Sequence, residues 1–158
     1  MKKFRGKKRY FRNLWREARI KYYDLEFGKG SWFDLWHTHL DFYGHGNTSL
    51  KIRKEQIKAY IALHNDFLEK LQEFEKPYQL WIEIVDEEAG SDAIYLHTPN
   101  PNEDNFPFKI DNLNWNCTVP KYLKDLINLN EFNVGHYKCE CESSNIYIIQ
   151  SKNSGDRL

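Results

Sequence analysis

The chain has 158 residues, with 23 basic and 23 acidic side chains and no formal net charge. Hydrophobic residues make up 41% of it and charged residues 29%, which excludes a wholly disordered, collagen-like or membrane-embedded chain and fits one globular domain. Aromatics are dense, with 10 Phe, 10 Tyr and 5 Trp, so a modest chain has the material for a substantial core.

The neutral total conceals a segregated one. Residues 1–22 hold ten basic side chains, from Lys2 to Lys21, against Glu17 alone, giving +9. The remaining 136 residues hold 13 basic and 22 acidic side chains, giving −9. No apolar run follows the basic start, as a secretory signal requires, and no stretch is long enough to span a bilayer. The three cysteines, Cys117, Cys139 and Cys141, are too few for a disulfide framework. A reduced, cytoplasmic protein without a membrane span is expected.

Three readings of the basic arm stay open. Lys and Arg interleaved with Tyr10, Phe11 and Trp15 can neutralise phosphates and stack on bases, which makes residues 2–21 a candidate nucleic-acid contact. Phe11, Leu14, Trp15, Ala18 and Tyr22 also fall at helical spacing, which suits an anionic surface. The same face can instead dock on the chain's own acidic body.

Segment 31–43, SWFDLWHTHLDFY, is fenced by Gly28 and Gly30 before it and by Gly44 and Gly46 after it. Helical and extended readings both give an apolar stripe; aromatic enrichment and the flanking glycines favour a strand. Residues 49–76 then read as a long amphipathic helix closed by Pro77. Its stripe is Ile57, Ile61, His64, Leu68 and Leu71, flanked by Tyr60, Phe67 and Phe74.

Tyr78–Asp86 and Asp92–Thr98 alternate as strands of a hairpin. The simple register puts Leu80, Ile82 and Ile84 with Ile94 and Leu96 on the core face, and Trp81, Glu83, Tyr95 and His97 on the other. Prolines at 99, 101 and 107 impose a loop. Residues 119–129 read as a short helix with Pro120 in its first turn, and Phe132–Cys141 with Asn145–Gln150 as a second hairpin. The expected fold class is α+β. A single domain over 23–150 carries a mainly antiparallel sheet with one long amphipathic helix packed on a face. A basic helical arm, 1–22, precedes it and a disordered tail, 151–158, follows.

His37, His39 and Asp41 would project from one face of a strand, so two imidazoles and a carboxylate can converge on a divalent metal such as zinc, manganese or iron. His45 in the following Gly-rich turn, or His97 or Glu83, would complete the shell, with Glu83 and His97 as catalytic candidates around a metal-activated water. Over about six residues the run is similar to the His-x-His-x-Asp-His motif of the metallo-β-lactamase fold family. It departs from that motif at Phe42, where the motif has His, so membership is not inferred. Two imidazoles held by neighbouring carboxylates or backbone explain the same pattern without a metal.

His64, on the apolar helical stripe, reads as a buried structural histidine. Cys139-x-Cys141 with Cys117 and His136 has the atom types of a zinc site. On a strand, however, His136 points away from Cys139 and Cys141. Gly44-His45-Gly46-Asn47 has neither the phosphate-loop nor the dinucleotide glycine spacing.

Two functions are expected to compete. In one, the chain is a small bacterial-type intracellular protein that binds and regulates a protein partner, in the manner of an immunity protein. Its acidic aromatic surface would comprise Asp86, Glu87, Glu88, Asp92, Glu103 and Asp104 with Trp81 and Tyr95. In the other it is a metal-dependent hydrolase acting on a phosphodiester. The incomplete histidine motif favours the first.

Overall fold

The computed structural model describes residues 50–72, 78–86, 93–99, 101, 104–139 and 144–158. The basic arm 1–22 and segment 31–43, with His37, His39, Asp41 and His45, therefore lie outside the described residues.

The apolar stripe produces helix α1, Leu50–Leu71. At about 1.5 Å per residue its 22 residues reach about 33 Å, longer than the strands beneath it. The buried line is Ile57, Tyr60, Leu63, His64, Phe67 and Leu71, turned slightly from the expected stripe. Ile61 and Leu68 sit half-buried at its border. The rotation brings the rings of Tyr60 and Phe67 onto the sheet, where they fill more area than the aliphatic pair. Phe74 lies outside the described residues.

Among the described residues, four strands follow the period-2 pattern: β1 Trp81–Asp86, β2 Ala93–His97, β3 Phe132–Lys138 and β4 Asn145–Ser151. They form one antiparallel sheet in the order β2-β1-β4-β3. The first hairpin has the expected register, with Ile82 opposite Leu96, Ile84 opposite Ile94, Trp81 opposite His97 and Glu83 opposite Tyr95. The two hairpins join through β1 and β4, where Ile82 meets Ile149 and Ile84 meets Tyr147. The fold is the expected α+β class.

Two apolar clusters lie on the two faces of this sheet. Between α1 and the sheet, Ile57, Leu63 and Phe67 pack with Ile82, Leu96 and Ile149. On the opposite face, Trp81, Val85, Ile146 and Ile148 are covered by Phe108, Leu113, Trp115 and Leu158. A loop therefore does for this face what α1 does for the other. Gly135 makes the fit possible, because a Cβ there would lie 2.7 Å from Leu113 Cδ1 and 3.0 Å from Trp115 Cε3. Asn114 pairs with His136 through two backbone hydrogen bonds of 2.9 and 3.0 Å, fixing the covering segment along the β3 edge.

Two elements differ from the sequence reading. The helix expected over 119–129 is a single turn, α2, Lys121–Lys124. Asp125 is its C-cap, and beyond it Asn128 accepts from the Asn130 amide at 3.1 Å, a local bond that competes with helix continuation. The tail, expected to be disordered, folds back along Tyr78. Lys152 N donates to Glu131 O at 2.9 Å, Gln150 Nε2 donates to Asp156 O at 3.2 Å, and Ser154 is buried. Gln79 pins both covering segments: its Oε1 accepts from Phe108 N at 2.8 Å, while its Nε2 donates to Phe108 O at 3.0 Å and Arg157 O at 3.4 Å. No helix among the described residues is long and apolar enough to cross a membrane.

Candidate functional site

Alternation along β1 and β2 sends Glu83 and His97 to the sheet face opposite α1. Their register makes them diagonal neighbours, within reach of long side chains. Glu83 Oε2 lies 3.0 Å from His97 Nε2, with side-chain exposures of 17% and 4%. When the imidazole carries a proton, this is a shielded ion pair. The His97 ring stacks on Trp81 at 4.8 Å and 11° between planes, and Trp81 stacks in turn on Phe108 at 5.4 Å and 18°. These aromatic contacts orient the imidazole. The Trp81 Nε1–H has no hydrogen-bond partner among the described residues.

Tyr95 tilts against His97 with ring centroids 6.0 Å apart. Burial raises the Tyr137 hydroxyl above its usual range, and the nearby Glu83 carboxylate raises it further. Tyr137 therefore stays a neutral phenol beside the pair. Chemically the arrangement offers one carboxylate and one oriented imidazole on a mostly aromatic floor, two of the groups proton transfer or metal ligation uses.

Of the six site residues expected from the sequence, Glu83 and His97 come together as the hairpin register requires. His37, His39, Asp41 and His45 are outside the described residues. Among the described residues, no group of three or more His, Cys, Asp or Glu side chains gathers as a metal site. The two described cysteines, Cys117 and Cys139, do not come together either, and Cys141 lies outside the described residues. Cys117 packs on the α1 side and donates from Sγ to Val134 O at 3.5 Å, whereas Cys139 packs on the opposite face. Burial raises the Cys117 thiol, which keeps it protonated and a poor ligand. His136 Nε2 sits 3.1 Å from Asn145 Oδ1, and its ring lies 5.0 Å from that of Tyr147.

The expected acidic aromatic surface changes in one respect. Trp81 is 2% exposed under Phe108 and does not present a surface anchor; Tyr95 is half-buried. No family model, curated protein or solved structure matches this chain.

Of the expected acidic surface, Asp86 has a described place at the end of β1. Asp86 ends β1 opposite Asn145, which begins β4 and in turn faces Lys138 at the end of β3. The connections after β1 and after β3 thus leave from the same end of the sheet. By sequence they carry Glu87, Glu88 and Asp92, and Glu140 and Glu142.

Asp86, at 39% side-chain exposure, is held by Arg53 Nη2 at 3.1 Å and accepts from Tyr122 Oη at 3.2 Å. Arg53 Nη2 also donates to Val85 O at 3.0 Å. Burial and the Asp86 charge raise the Tyr122 hydroxyl well above its usual range. Sequence reasoning missed Arg53 and Tyr122. Arg53 lies four residues before Ile57, in line with the buried stripe, and that spacing is its signal. Tyr122 has no comparable signal.

Proposed function

We propose that the chain is a cytoplasmic protein-interaction module, regulatory in the manner of an immunity protein, that receives a basic partner on the acidic end of its sheet. The observation that supports this reading is the strand register, which starts the 87–92 and 140–143 connections at one end of the sheet. By sequence these connections carry five of the 22 acidic side chains of residues 23–158. Such a rim steers an oppositely charged protein and selects against acidic ones. Partner capture tests it, using the whole chain beside a variant carrying Glu87→Lys, Glu88→Lys and Asp92→Lys. The wild type should retain a basic protein at low salt and release it as salt rises, while a variant of equal thermal stability retains none. Equal retention by both chains would overturn the reading.

A second reading is favoured by the shielded contact of Glu83 with His97. It is a metal-dependent hydrolase acting on a phosphodiester. His37, His39 and Asp41 would be the ligands, His45 or His97 would complete the shell, Glu83 would be the base, and residues 2–21 would hold nucleic acid. Zinc, manganese or iron would polarise the phosphate and activate water. Elemental mass spectrometry of untagged protein decides it. Near-stoichiometric metal that is lost in His39→Ala supports a hydrolase, and the absence of metal uptake on titration removes it.

A further inference from the structure

We draw no further inference here: the strongest candidate, the Glu83–His97 side-chain pair on the sheet face opposite α1, belongs to the site already described.

Discussion

At the scale of single residues, His64 links the core to pH. Its ring is fully buried on α1, edge-on to Phe132 at 5.4 Å. Burial lowers its pKa from 6.5 to about 4, against smaller opposing effects from Asn65 and the Leu80 backbone. The unfolded chain therefore takes up this proton below pH 6.5, while the folded chain resists until about pH 4. Stability from this residue is complete above the first value and declines as pH falls through the window. At pH 4.5 the loss is about 2–3 kcal/mol. Urea unfolding at pH 7.5 and pH 4.5 should show a smaller acid loss in His64→Gln than in the wild type. Parallel losses in the two proteins would contradict this assignment.

Gly135 makes a different prediction. A methyl group there meets Leu113 Cδ1 at 2.7 Å, which can turn aside, and the Trp115 ring at 3.0 Å, which has less room. Gly135→Ala should cost about 1–2 kcal/mol through overpacking and loosen the covering loop. An unchanged unfolding midpoint would show that the loop does not press on the sheet. The need for glycine here is invisible in the sequence, because Leu113 and Trp115 come from an irregular segment without periodicity.

Among the elements, the first hairpin was the most legible. Period-2 alternation over Tyr78–Thr98 gives its register, and that register brings Glu83 to His97. The burial of this pair was less legible, since Phe108 and the Trp81 stack arrive through a loop pinned by Gln79. The second helix is capped at Asp125, and the Asn128 side chain further on offers the backbone an alternative bond.

The junction between α1 and β1 rests on Arg53, whose guanidinium is buried against Asp86 and the Val85 carbonyl. Asp86→Ala removes the countercharge and the Tyr122 acceptor together. With Asp86 partly exposed, the expected cost is about 2 kcal/mol, below that of breaking a fully buried pair. Hydrogen exchange should quicken at the start of α1 and the end of β1. Unchanged exchange at both places would assign the junction to apolar packing instead.

For the whole molecule, the α+β class followed from the order of elements, but the strand order did not. The β1–β4 pairing joins residues 59 to 67 positions apart, and such a contact leaves no local pattern to read. That pairing starts two connections of acidic sequence at one end of the sheet. In the sequence Glu87, Glu88 and Asp92 are far from Glu140 and Glu142; the register starts their two connections at one end of the sheet. Trp81 shows the opposite limit, since residue type suggested a surface anchor and packing made it part of the core.

The proposed function requires this end, as a unit, to meet the partner. Carbodiimide labelling of carboxyl groups, read by mass spectrometry on the free chain and on the chain with its captured partner, tests it most directly. Joint protection of Glu87, Glu88, Asp92, Glu140 and Glu142 is expected, with the exposed Glu131 and Asp156 labelled equally in both states. Protection confined to one connection, or centred on Glu131 and Asp156, would contradict it.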